Sequence, residues 1–408
     1  MRCHHFDSGA CRSCTLLDLP RPRQLSRGRE RVEGLLAGHL APGMRWGEPI
    51  VGAEQGFRAR GKMAIGGTAA APVLTLPGQS AGTDLCDCPL YPAGVEDVLD
   101  GAKALIRRAQ VPPYDVARRR GEIKNVLVTS SPDGEHLLRL VLRSTATLDR
   151  LREHLPRLLE AHPSIVSVSA NIHPEHTTRV EGEEEILLAG DGRLAVRTGD
   201  VSLFSRPQSF LQTHTEVAGA LYRQGAEWAR EIAGAREGLR IWDLYCGLGG
   251  FSLHLARALP TAQVTGVEVS AQAIDGAREG AEAEGVDVRF LAADATTWAI
   301  QEADGSAGPP DIVVVNPPRR GLGPELSAWL ERSGVPDVLY SSCHPGSLAD
   351  DLAAMPSLRI VAGRYVDMFP HTEHAEVIVR LRRIAPGEER SEERRVGKEC
   401  RSRWSPYH

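Results

Sequence analysis

In the last third of this 408-residue chain, Cys343 closes the apolar run Val335 to Tyr340 within Ser341-Ser342-Cys343-His344-Pro345. The run reads as a buried strand bounded by turn residues. A thiol so placed can act as a nucleophile once a base or a positive charge lies near it. Asn316-Pro317-Pro318-Arg319-Arg320-Gly321 ends a second apolar run, Asp311 to Val315. Glu373 and Glu376 stand at the start of a third, Ala375 to Arg382. Open α/β sheets place ligands at the carboxyl ends of their strands, so thiol, amide and carboxylate on neighbouring ends form a catalytic set. The plain alternatives stay open residue by residue. A lone cysteine is often a small core hydrophobe, and an acid at a strand edge is often only solvated.

Upstream, Asp243-Leu-Tyr-Cys-Gly-Leu-Gly-Gly250 joins a strand to a helix starting near Phe251. Glycines let the backbone turn tightly and approach a ligand. Glu268, twenty-five residues after Asp243, ends the next strand, where a carboxylate can hold both ribose hydroxyls. That pairing fits NAD and S-adenosylmethionine alike. The crowded Gly247, Gly249 and Gly250 depart from G-x-G-x-x-G, so no phosphate need sit at the helix start, which favours S-adenosylmethionine.

Cys3, Cys11, Cys14 and Cys88-Pro89 offer four thiolates, with Cys86 a fifth candidate. A distal Cys-Pro suits a ferredoxin-type iron–sulfur ligand set. A Cys₄ zinc site is the alternative, although only one short Cys-x-x-Cys knuckle is present.

The elements that must position these groups fall into three stretches. Residues 1–95 carry little regular periodicity and read as a segment folded around a metal centre. Residues 96–205 read as α+β: a helix from Val95 to Ala109, a hairpin about Pro132-Asp133-Gly134, a helix from Thr147 to Ala161, a strand from Ser164 to Ile172, and a hairpin about Asp191-Gly192. From Arg206 to about residue 385 a leading helix, Thr215 to Ala233, is followed by alternating strands and helices. That predicts an α/β fold with a doubly wound, Rossmann-like parallel sheet, closed by an antiparallel pair, Leu358–Phe369 and Ala375–Arg382. Residues 386–408 carry five acids and six bases without apolar period and read as a disordered or foreign tail.

With 42% hydrophobic and 25% charged residues the chain is of ordinary globular composition, and no apolar stretch is long enough for a membrane span. It has no secretory leader pattern, so a cytoplasmic protein is expected, in which clustered cysteines bind metal rather than form disulfides. The net charge of −5 does not by itself announce a nucleic-acid partner. Arg107-Arg108, Arg118-Arg119-Arg120 with Lys124, and Arg319-Arg320 are local basic clusters that could meet one, or solvated faces.

Taken together, the cysteine set, Asp84 to Pro92, Arg206-Pro-Gln-Ser-Phe-Leu-Gln212, the Asp243 loop and the Asn316, Cys343 and Glu376 blocks resemble the RNA uridine-C5 methyltransferases over residues 1 to 383. The similarity is to their iron–sulfur branch, which acts on uracil-747 of 23S ribosomal RNA. His214 and His344 depart from it, standing where the family commonly has Asn. The resemblance implies S-adenosylmethionine bound by Gln212, Tyr245, Glu268 and Asn316, and a [4Fe–4S] cluster on Cys3, Cys11, Cys14 and Cys88. It further implies Cys343 as the nucleophile at uracil C6, Glu376 (with Glu373 second) as the base that removes the C5 proton, and a monomer acting on 23S RNA. Arg319 or backbone amides are candidates to stabilise the enolate oxygen. An amino-methyltransferase would use an Asn-Pro-Pro-aromatic block, but Arg319 fills the aromatic place, and that chemistry leaves Cys343 idle. A third reading is a non-catalytic metal-containing RNA-binding protein. Enzymes with the same catalytic blocks modify transfer RNA or other ribosomal uridines; the cysteine cluster at the very start favours the uracil-747 branch.

Overall fold

The computed structural model describes residues 1–76, 82–177 and 179–384; the tail read at 386–408 lies outside them. The first stretch forms α1 (His4–Asp7), α2 (Arg21–Leu36), β1 (Arg60–Gly67) and β2 (Pro72–Thr75). The middle forms α3 (Val95–Arg108), β3 (Ile123–Ser130), β4 (His136–Leu142), α4 (Leu148–Ala161), β5 (Ile165–Ile172), β6 (Glu184–Ala189), β7 (Leu194–Thr198) and β8 (Val201–Ser205). Then come α5 (Thr215–Ala233), β9 (Arg240–Leu244), α6 (Gly250–Ala258), β10 (Gln263–Glu268), α7 (Ala271–Glu284), β11 (Arg289–Ala292) and α8 (Ala295–Ala303). The chain continues with β12 (Ile312–Val315), α9 (Pro324–Arg332), β13 (Asp337–Ser342), α10 (Pro345–Ala353), β14 (Leu358–Val366) and β15 (Glu376–Arg383).

The expected doubly wound sheet is present, in the order β11-β10-β9-β12-β13-β15-β14. β9 to β13 run parallel, while β15 pairs antiparallel with both β13 and β14. Alternate residues of each strand feed two cores. Ile241, Val314, Leu339 and Ile378 pack towards α5, α6 and α7, while Trp242, Val313, Val338 and Val377 pack towards α8, α9 and α10. Strands buried on both faces need such continuous apolar runs, which is why the sequence displays them so openly.

Three boundaries differ from the sequence reading. A second sheet, β2-β1-β3-β4-β5-β6, runs across the division expected at residue 95, because Met63, Ile65 and Leu74 share one core with α3 and α4. Residues 21–50 instead belong to the large sheet: α2 buries Val32 and Leu36 in its second core, and Leu40, Trp46 and Ile50 bridge to β14. The hairpin expected about Asp191-Gly192 does not form. β6 pairs with β5 and β7 with β8, so the turn moves the chain between two sheets, and Leu194 and Val196 enter the core beneath α5.

Candidate active site

One edge of the large sheet gathers the chemistry. Across it, in strand order, lie Asp294 after β11, Glu268 ending β10, Tyr245 after β9, Asn316 after β12, Cys343 after β13 and Glu376 opening β15. Because β15 runs backwards, its first residue shares an edge with the last residues of its parallel neighbours. Strand order reverses between β9 and β12, the place where such sheets open a ligand crevice.

On the β9–β10 side the loop after β9 is drawn tight. Tyr245 takes φ +64°, rare for a side chain of that size, and Gly247 and Gly249 follow at +55° and +81°. Gly249 is obligatory in space as well, since a Cβ would stand 2.8 Å from Phe290. Asp243 is fully buried; its Oδ2 accepts from Ser252 N (3.0 Å) and Oγ (2.6 Å), and burial pushes its carboxyl up to about 7. Glu268 accepts from Gly247 N (3.3 Å) and Ser270 N (3.0 Å), which fixes a half-buried carboxylate beside the loop. Asp294, unassigned in the sequence reading, caps α8 through Thr297 N (2.9 Å). Gln212 is buried between β8 and α5, and Asn316 is half-buried. The edge therefore offers two carboxylates, an amide and an aromatic ring around a glycine turn, with no lysine or arginine in the turn itself to hold a phosphate.

On the β13–β15 side Glu376 is 1% exposed, and Ser341 Oγ donates to it at 2.6 Å across the strand pair. Burial pushes this carboxyl up to about 7. Burial and then Glu376 raise the half-buried Cys343 thiol, while Arg319 pulls it back down. Arg319 and Arg320 are exposed and form no ion pair among the described residues. The competing acid, Glu373, is engaged elsewhere: Arg27 holds it at 2.6 Å and Arg31 donates to its carbonyl. Phe210, two residues before Gln212, is 69% exposed. Its place in a quoted block was visible from the sequence, but its exposure was not.

Both histidine departures have structural work. His344 caps α10, its Nδ1 accepting from Ser347 N at 3.1 Å, as an Asn side chain would. His214 stacks on Phe57 at 4.7 Å and donates from Nε2 to Ala53 O at 3.0 Å, and burial lowers its pKa.

Cys3, Cys11, Cys14 and Cys88 line one cavity, with Thr372 from the loop before β15 on its wall. Burial and then the three other thiols push Cys14 up to about 12. Cys86 lies apart, hydrogen-bonded to Asp84. Among the described residues the group whose metal-binding atoms all approach within 4.8 Å is His4, His5 and Asp87, not the thiols.

The tRNA (uracil-5-)-methyltransferase family model matches residues 191–384. A Pectobacterium carotovorum protein named 23S rRNA (uracil(747)-C(5))-methyltransferase RlmC is 43% identical over 386 residues, covering 94% of this chain and 100% of that protein. The Shewanella halifaxensis protein of the same name is 42% identical, covering 93% and 99%. In fold, the chain is similar to a Pyrococcus abyssi tRNA (uracil-54, C5)-methyltransferase solved with S-adenosyl-L-homocysteine, with a TM-score of 0.72, 24% identity, and 91% and 86% of the two chains covered. Identity at this level over almost the full length places the chain in the tRNA (uracil-5-)-methyltransferase family.

Proposed function

We propose that this protein methylates C5 of a uridine in 23S ribosomal RNA, the nucleotide at position 747, using S-adenosylmethionine. The observation that carries the reading is the pairing of a half-buried thiol with a buried, Ser341-bonded carboxyl on adjacent strands, one strand away from Asn316. S-adenosylmethionine supplies an electrophilic sulfonium methyl group. Gln212, Tyr245, Glu268 and Asn316 are the residues to hold it, and the half-buried carboxylate and polar groups suit a ribose and an amino acid.

Uracil C5 is too weak a nucleophile by itself. Cys343 adds as the thiolate to C6, and the electron pair of the C5–C6 bond moves into an enolate that makes C5 nucleophilic. Arg319, which forms no ion pair among the described residues, favours the thiolate and is the residue assigned to the enolate oxygen. Once C5 carries the methyl group, ionised Glu376 takes the C5 proton. Those electrons re-form C5=C6 and expel the Cys343 thiolate, restoring the enzyme. Both faces of the base are needed, so the uridine must leave its stack, and the exposed Phe210 ring offers a base a surface on which to stack.

We also assign Cys3, Cys11, Cys14 and Cys88 to a [4Fe–4S] cluster. The distal Cys88-Pro89 suits a cluster ligand, and the single short Cys-x-x-Cys knuckle favours a cluster over a four-thiolate zinc site. RNA contact by the middle sheet is assigned to the turn at Arg118–Arg120, whose three arginines are exposed. Cytoplasmic location and a monomeric state belong to the same reading; among the described residues no helix is long and apolar enough to cross a membrane.

The test is transfer of labelled methyl groups to unmodified 23S RNA, followed by nucleoside analysis and mapping. One equivalent of 5-methyluridine at position 747 is expected. Label in methyladenine, or at another uridine alone, would contradict the substrate assignment.

A further inference from the structure

The N-terminal segment grips the loop that ends at Glu376 at three successive points. Arg21 pairs with Asp367. Leu16 N donates to His371 O at 2.9 Å. Arg27 and Arg31 hold Glu373. Gln24 joins these contacts from the centre. Its buried Nε2 donates to Leu16 O (3.0 Å) and Leu19 O (2.9 Å), and its Oε1 accepts from His371 N (3.1 Å). Gln24, Arg27 and Arg31 are spaced three and four apart, so one stripe of α2 faces the loop.

The loop is not a relaxed one. His371 is buried with φ +66°, a conformation an L residue holds only when its surroundings impose it. Its Nε2 donates to Glu54 O at 2.7 Å, and the next residue, Thr372, forms part of the wall of the four-cysteine cavity. Leu16 itself lies two residues after Cys14. A short path therefore runs from the thiols along the chain to Leu16, and from Leu16 and Gln24 through hydrogen bonds to the strained residue five positions before Glu376.

We propose that Gln24 is a positioning residue for the base, and that the cysteine centre, through the turn after Cys14, holds the 367–375 loop in the shape that delivers Glu376. The cysteine segment thereby serves the proton-removal step without exchanging electrons with it. The kinetic part of this proposal rests on the chemistry proposed above, whereas its structural part does not.

Two readouts separate them. In Gln24→Leu, hydrogen exchange at the amides of residues 367–375 should rise by at least tenfold while β9 to β13 stay protected. With saturating RNA, kcat should fall by about 10- to 100-fold, the range for a group displaced from its working geometry. The KM for S-adenosylmethionine should stay within about twofold, since the residues assigned to it lie on other strands. Gln24→Glu keeps the acceptor for His371 N and loses the donors, so it should fall between wild type and Gln24→Leu. Should Gln24→Leu not fold, the exposed pair Arg27→Ala, Arg31→Ala releases the same loop at Glu373 and should raise its exchange. Full-length protein stripped of metal by a chelator should show the same raised exchange at 367–375 as compared with anaerobically purified, iron-loaded protein. Unchanged loop exchange in the variants and the stripped protein overturns the proposal. A wild-type protein that methylates no uridine, while its variants still loosen the loop, overturns the function and leaves the coupling standing.

Discussion

Glu376 carries opposite demands, because the burial that aims it also penalises its charge. A carboxyl raised from its ordinary 4.5 to about 7 binds its proton more tightly in the folded protein. Stability is therefore unaffected below pH 4.5, declines as pH rises between the two values, and has lost its full share above 7. Two and a half pKa units correspond to about 3 kcal/mol. Glu376→Gln should accordingly raise the melting temperature at pH 8 and do so much less at pH 5, which parallel thermal scans will check. In the proposed mechanism Glu376 acts as a base only when ionised, and Cys343, raised by burial and by Glu376, acts only as thiolate. Both requirements push the same way, so kcat/KM should climb from pH 6 to 9 without an acidic optimum. Cys343 and Glu376 were legible as a thiol and an acid at strand ends. That Glu376 rather than Glu373 is the buried one follows from α2, whose arginines claim Glu373, and no local pattern announces that.

At the scale of elements, the turn at 115–120 shows how a charge run becomes a surface. Asp115 and Arg120 close it with paired backbone bonds of 2.7 and 3.3 Å, and Asp115 Oδ1 accepts from Arg118 N at 2.9 Å. Arg119 sits at φ +50°, and all three arginines are exposed. Beside them Lys124 lies 4.9 Å over the Tyr114 ring, whose hydroxyl is 3.2 Å from His176. A turn that holds three guanidinium groups outward on an otherwise acidic chain suits a phosphate backbone. Replacing Arg118, Arg119 and Arg120 by Ala should weaken RNA binding and lower the slope of log K against log salt by about 2 to 3, as three lost phosphate contacts require. An unchanged slope in filter-binding titrations would remove the turn from the RNA surface. Where element reading failed, the cause is equally specific. The inward stripe of α2 runs from half-buried Leu25 and Gly28 to buried Val32 and Leu36, and its apolar period is broken at Gly28, where a Cβ would stand 2.5 Å from the Tyr365 hydroxyl. Gln24, also buried, hides the same face. The Asp191-Gly192 turn was real, but a turn does not say whether its flanking strands pair with each other.

At the scale of the whole molecule, the six- and seven-stranded sheets are tied together by a chain that visits each more than once. The large sheet was legible because its strands are buried on both faces and alternate with helices. The domain borders were not, since β1 pairs with β3 across the division expected at residue 95, and residues 21–50 line β14 more than 300 positions away. Those long-range returns bring the cysteine segment to the catalytic edge, and they make Cys343 and Glu376 parts of one assembled machine. The proposed reaction passes through a covalent adduct at Cys343 that only Glu376 resolves. The direct test is a denaturing gel of Glu376→Gln protein incubated with S-adenosylmethionine and unmodified 23S RNA fragment. Blocked proton removal should leave methylated RNA bonded to the protein, giving a slow-migrating species that requires S-adenosylmethionine to carry label and vanishes in the Cys343→Ala, Glu376→Gln double variant. Normal turnover by Glu376→Gln, or continued C5 methylation by Cys343→Ala, would contradict the account.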